Sequence, residues 1–145
     1  MKIQESAGGI VFRRHDDSIE ILIGQHSGHH GWVFPKGLIG DIVDNEGREE
    51  TAIREVQEET GITGEILHPL KPYVIYFVWE GEKHKKTVYY YVMEYLTGDT
   101  RDHDWEMSHV EWLPLSDVEE RVTYEKEKKV FREAREYIES KLTNE

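Results

Sequence analysis

REVQEETGI, residues 54–62, decides how this chain is read. On a helix of about 100° per residue, Glu55, Glu58 and Glu59 fall within roughly a quarter turn of one another, while Ile53 and Val56 point elsewhere. Like charges at this spacing repel and lower helix stability. A hard divalent cation offsets that cost, because three converging carboxylates are oxygen ligands of the kind magnesium or manganese takes. Arg54 flanks the acidic face and is placed to pin one carboxylate by a bidentate contact. A solvated acidic face is the commoner meaning of a Glu-rich helix, and spacing alone leaves both readings open.

The helix is expected over residues 48–60. Ala52, Ile53 and Val56 form a narrow apolar face, Asp44 or Asn45 caps the start, and Gly61 stands where a left-handed terminating residue belongs. N-terminal to it, Gly8–Phe12 and Ile19–Ile23 read as a strand pair joined by the polar RRHDD. The stretch from Gly24 to Gly47 reads as loop, short WVF strand and loop, long enough to suggest function. C-terminal to it, residues 73–79 (YVIYFVW) and 87–95 (TVYYYVMEY) are β-prone, with EGEKHKK as the hairpin loop, and a further strand covers Val110–Leu113. Ser116 with Glu119 suggests a capping box opening a short helix. Val130, Ala134, Ile138 and Leu142 mark a terminal amphipathic helix over residues 123–142. This order implies an α+β fold with a mixed sheet between helices.

The 145 residues fit one domain. A net charge of -12, from 30 acidic against 18 basic residues, argues against nucleic-acid polymers and anionic membranes as partners. A phosphate compound would therefore need cations to mediate. With no cysteine, disulfides, thiolate chemistry and cysteine-based zinc sites are excluded. The N-terminal MKIQESAGGIVFRR has no apolar stretch of signal or membrane-span length, so a soluble cytoplasmic protein is expected. Nothing in these residues fixes an oligomeric state.

The wider pattern runs Gly40, five residues, Glu46, seven residues, then Arg54-Glu55-Val56, one residue, Glu58-Glu59, one residue and Gly61-Ile62. It resembles the signature box of the Nudix hydrolases at every defined position. In many members the glycine of a Phe-Pro-Lys-Gly stretch opens the box, whereas here Phe34-Pro35-Lys36-Gly37 comes three residues early. Either the loop carries a three-residue insertion and Gly37 keeps its role, or the turn is rebuilt around Gly40; the insertion is preferred. Ala7-Gly8-Gly9-Ile10-Val11, Trp32-Val33 ahead of Phe34, Lys86-Thr87-Val88, Glu106 before Trp112, and Leu113-Pro114-Leu115 extend the likeness. Together they resemble the asymmetric diadenosine tetraphosphate hydrolase branch.

The resemblance implies an α/β/α sandwich and a metal-dependent pyrophosphohydrolase of a nucleotide, diadenosine tetraphosphate to ATP and AMP. It implies magnesium, with manganese possible, on Glu55, Glu58, Glu59 and a Gly37 carbonyl, with Glu106 completing the set. The general base would be Glu58, or else Glu55, with Arg54 positioning and Glu46 behind it. Lys36 and Lys86 would clamp phosphates and Trp32, Tyr76 or Tyr90 would stack on a base. His84 is a further candidate phosphate contact. His26, His29 and His30 are read as solvated or substrate-facing rather than as metal ligands. The competing readings are oxidised nucleoside triphosphates, ADP-ribose or a diphosphoinositol phosphate as substrate, a non-enzymatic binding module, and a calcium-binding structural helix.

Overall fold

The computed structural model describes residues 1–40 and 45–144. The chain runs β1 (Lys2–His15), β2 (Ser18–His26), β3 (Trp32–Val33), β4 (Lys36–Leu38), α1 (Arg48–Thr60), β5 (Ile62–Pro69), β6 (Tyr73–Trp79), β7 (Glu82–Gly98), β8 (Met107–Pro114), α2 (Val118–Arg121) and α3 (Glu125–Thr143). The strands form a mixed sheet ordered β3-β2-β1-β7-β5, with β4 also on β1, β6 on β7 and β8 on β2. β1 and β7 are parallel, from Lys2 opposite His84 to Phe12 opposite Glu94, and the other pairings are antiparallel.

β1 is buried from Ser6 to Phe12 because helices cover both faces of the sheet. Ala7 and Val11 pack towards Ala52 and Val56 of α1, while Ile10 and Phe12 pack towards Val130, Phe131, Ala134 and Ile138 of α3. A strand covered on both sides reads as an unbroken apolar run rather than as an alternation. The expected α+β sandwich is therefore the observed one. Among the described residues no helix is long and apolar enough to cross a membrane.

Several local expectations are corrected. RRHDD is mostly strand, with Asp16 alone of it at positive φ. EGEKHKK is also mostly strand: Glu80 and Gly81, both at positive φ, make the turn, and Glu82 already pairs with Trp79. β5 had no expectation, its ITGEILHP mixing polar and apolar residues at an edge. α1 is capped by Gly47 without a side-chain bond; Asn45 lies two residues outside, and Asp44 falls outside the described residues. Ser116 bonds Asp117 at 3.5 Å rather than closing a capping box, and α2 is four residues long. Gly61 does terminate α1 at φ 80°, where a Cβ would also lie 2.3 Å from the Asp99 carbonyl oxygen.

α3 is fastened to the sheet by Glu127, which is buried. Its carboxylate accepts hydrogen bonds from the Tyr90 hydroxyl, the Tyr73 hydroxyl at 3.4 Å and the Phe34 amide at 3.3 Å. Removing it takes the acceptor from the buried Phe34 amide and the half-buried Tyr73 hydroxyl, and leaves the Tyr90 hydroxyl only the Phe34 carbonyl. Glu127→Ala is expected to lower stability by about 2–4 kcal/mol, measured by chemical denaturation, with Glu127→Gln retaining part of the loss.

Candidate active site

α1 is unusual in what it buries: beside Thr51, Ala52, Val56 and Thr60, the buried stripe holds Glu55 and Glu59. The i, i+4 spacing puts both carboxylates on the turn that faces the β1–β4 crossing. Glu55 lies directly against Gly37, where a Cβ would stand 2.0 Å from the carboxylate carbon. Any larger residue at 37 would displace that carboxylate. Gly40, by contrast, has φ 79° and open space around its Cα, so its role is to turn the chain. Of the two glycines, Gly37 is the one brought to α1.

Glu59 is 3% exposed and accepts a hydrogen bond from the Lys36 amide at 2.8 Å. Burial first, and then the Glu106 carboxyl within hydrogen-bonding reach, push its pKa up to about 9. Glu106 arrives from the turn before β8, its carbonyl held by the Ser27 amide at 2.8 Å and its own amide by Asp104 at 3.0 Å. Glu46 and α1 are tied by Arg54: its Nε and Nη2 each reach Glu46 at 2.8 Å, and its Nη1 reaches Glu55 at 3.0 Å and Glu58 at 3.1 Å. Thr51 donates to the same Glu46 at 2.7 Å. The Arg54 hydrogen bond holds the Glu46 carboxyl below its ordinary range.

Glu55, Glu59 and Glu106 line a cavity of about 360 Å³ with Ser6, Lys36, Gly37 and Lys86. Among the described residues no three carboxylates or imidazoles already converge at metal-ligating distance, Glu55 and Glu58 being drawn onto Arg54. The donor set nonetheless fits a hard cation. Its members are carboxylate oxygens, and Glu55 and Glu59 are both buried against one cavity, where a shared hard cation would offset the cost of their charge. Glu58 is less enclosed, with its side chain 36% exposed.

A second cavity of about 370 Å³ adjoins the first, the two sharing His29, Val33, Lys36 and Lys86. Its far end is lined by Tyr73, Ile75, Tyr124 and Glu127. Lys86 is partly desolvated, so burial and then neighbouring Lys36 lower its pKa. His29 stands at the seam: its Nδ1 is 3.0 Å from the Tyr124 hydroxyl and accepts from the Gly31 amide, and its ring stacks on His26 at 4.2 Å. Carboxylates, then cations, then aromatic rings follow one another along the surface.

The aromatic residues expected from sequence are not those at the cavity. Tyr90 is 1% exposed beneath Tyr73, with its hydroxyl on Glu127, which leaves no face for a base. Trp32 is covered by the Arg121 guanidinium 4.0 Å from its ring, on the opposite side of the strand from cavity-lining Val33. Tyr76 is 67% exposed, but alternation turns it away from the face that carries Tyr73 and Ile75. His84 stacks on Phe77 and lines neither cavity. Glu127, Tyr73 and Tyr124 were missed. Glu127 carried a signal, standing three positions before Val130 and so in phase with the apolar stripe of α3.

The comparisons with known proteins agree with this arrangement. A family model described as NUDIX domain matches residues 2–134. The chain is 38% identical over 141 residues to a putative mutator protein MutT4 of Mycobacterium tuberculosis, covering 93% of this chain and 56% of that protein's length. It is 32% identical over 146 residues to the asymmetrical bis(5'-nucleosyl)-tetraphosphatase of Rattus norvegicus, covering 92% and 94%. In fold it resembles a C. elegans Ap4A hydrolase in a binary complex, with TM-score 0.73, 22% identity and 94% and 98% coverage. It equally resembles the NUDIX domain of Shewanella oneidensis NrtR complexed with ADP ribose, with TM-score 0.73, 23% identity and 95% and 89% coverage. The chain thus belongs to the NUDIX family, with its likeness reaching the asymmetrical tetraphosphatase branch, and is a hydrolase acting on phosphoanhydrides.

Proposed function

We propose that this hydrolase cleaves dinucleoside polyphosphates, with diadenosine tetraphosphate giving ATP and AMP. The observation that carries the reading is the joined pair of cavities, acidic at one end, crossed by Lys36 and Lys86, and aromatic at the other. A polyphosphate chain laid along it meets cations in the middle and carboxylates at the scissile end, and a base lies between Tyr73 and Tyr124.

Glu55, Glu58, Glu59, Glu106 and the Gly37 carbonyl are the residues to hold magnesium, or manganese in its place. A divalent cation bound there supplies neutralisation of phosphate charge and a more acidic water. In the reaction a water oxygen bonds to phosphorus, the anhydride P–O bond breaks, and the leaving phosphate takes the electron pair. The water's proton passes to a carboxylate of the Glu55 and Glu58 pair, which Arg54 holds in place from one guanidinium nitrogen. Lys36 and Lys86 orient the chain and offset its charge. The substrate is a small nucleotide in solution, since the acidic surface repels polymers and membranes.

The likeness to a protein named as a mutator supports a second reading, oxidised nucleoside triphosphates as substrate. A panel of dinucleoside polyphosphates, oxidised nucleoside triphosphates and ADP-ribose, with products identified, separates the two. Diadenosine tetraphosphate is expected to be turned over fastest, with magnesium required and chelator abolishing turnover; faster turnover of an oxidised triphosphate reverses the assignment. Glu59→Gln should reduce turnover by roughly 10³-fold or more with an unchanged unfolding transition. Tyr124→Ala should raise KM about tenfold with a smaller change in kcat, since stacking acts on ground and transition states alike.

A further inference from the structure

Among the described residues, two buried side-chain polar atoms have no hydrogen-bond partner, Ser6 Oγ and His84 Nδ1. His84 is covered by the Phe77 ring. Ser6 instead lines the carboxylate cavity while being 1% exposed. A buried hydroxyl without a partner costs stability, and an alanine would fill the same place without that cost. The residues that follow Ser6 on β1 are Ala7, Gly8 and Gly9, so this stretch of strand does not otherwise present polar side chains.

The sheet register says what the hydroxyl faces. Ser6 lies opposite Leu38 on β4 and Val88 on β7. Two residues back, Gln4 lies opposite Lys86; two residues on, Gly8 lies opposite Lys36. Residues two apart on a strand share a face, and direct cross-strand partners point the same way. Ser6 therefore projects from the same face as both lysines and stands one step along the sheet from each; towards Lys36, across the antiparallel β1–β4 pair, that diagonal is about 7–8 Å, within reach of a phosphate group met by a long lysine side chain. The lysines supply charge without fixing direction, because an ammonium is a rotating point donor. A hydroxyl held by strand backbone supplies direction.

We infer that the Ser6 hydroxyl is a substrate-positioning group that donates a hydrogen bond to a phosphate oxygen of the polyphosphate chain between Lys36 and Lys86. The assignment rests on the polyphosphate reading of the cavity and deepens it. It makes Ser6 a binding residue that fixes which phosphate stands over the carboxylates, and so where the chain is cut.

The test is calorimetric titration of inorganic tripolyphosphate into the full chain, in millimolar magnesium and in chelator, for the wild type, Ser6→Ala and Ser6→Cys. Both variants should bind about tenfold more weakly. The ligand-free Ser6→Ala variant should melt at the same temperature as the wild type or higher, an outcome that a structural role for the hydroxyl would reverse. Wild-type binding that survives undiminished in both variants overturns the Ser6 assignment and leaves the polyphosphate reading standing. Failure of the wild type to bind tripolyphosphate in either condition overturns both. With substrate, Ser6→Ala should also broaden the products, releasing phosphates from more than one cleavage position; an unchanged single position contradicts the inference.

Discussion

Arg54 is the contact on which the site depends. Its guanidinium engages Glu46 with two nitrogens and Glu55 and Glu58 with the third, so one cation is distributed over three anions on and before α1. Without it, Glu55 and Glu58 would repel each other across one helical turn with nothing on the protein between them. A lysine cannot replace it, because a point charge cannot form the planar fork that fixes Glu46 and leave a nitrogen for the other two. The same contact explains why α1 tolerates two buried glutamates. Glu55 is paired with the Arg54 guanidinium and Glu59 accepts a hydrogen bond from the Lys36 amide, and both line the cavity.

The other side of the cavity is set by close approach. Gly37 and Gly8 bring β4 across β1 with no side chain between, which lets the Glu55 carboxylate sit on the backbone at 37. The crossing also presents the Lys36 amide to Glu59 and the Lys36 side chain to the seam between the two cavities. Glu127 has the matching role at the far end, joining Phe34, Tyr73 and Tyr90 so that α3 closes the aromatic end. In a chain of net charge -12, the two lysines at the seam are a local reversal of sign. The polyanion proposed as substrate would meet positive charge at that seam, while the acidic surface elsewhere repels it.

Much of the site was legible because it lies on one helix and one tight segment. Helical periodicity fixes the relative directions of Glu55, Glu58 and Glu59 without any tertiary information, and Gly61 at positive φ marks the helix end by its own chemistry. The fold class followed from the order of apolar strands and amphipathic helices. The aromatic partners were not legible. YVIYFVW and TVYYYVMEY contain many rings, and a strand's two faces look alike until something covers one of them. Only α3, docking through Glu127, made Tyr90 core and left Tyr73 at a cavity, while Tyr124 entered from a position with no strand pattern at all.

The sequence by itself determined the acidic helix, the arginine beside it, the family to which they belong and the alternation of sheet and helices, since each depends on residues close in the chain; that the arginine's two-nitrogen contact goes to Glu46 rather than to a carboxylate of the helix was decided by the fold. Tertiary structure alone decided which glycine meets the carboxylates, that Glu106 joins Glu59, that Ser6 faces the two lysines, and which rings line the cavity. Those outcomes depend on strand register and on which sheet face each helix covers. A one-residue slip in either would turn every side chain concerned to the opposite side.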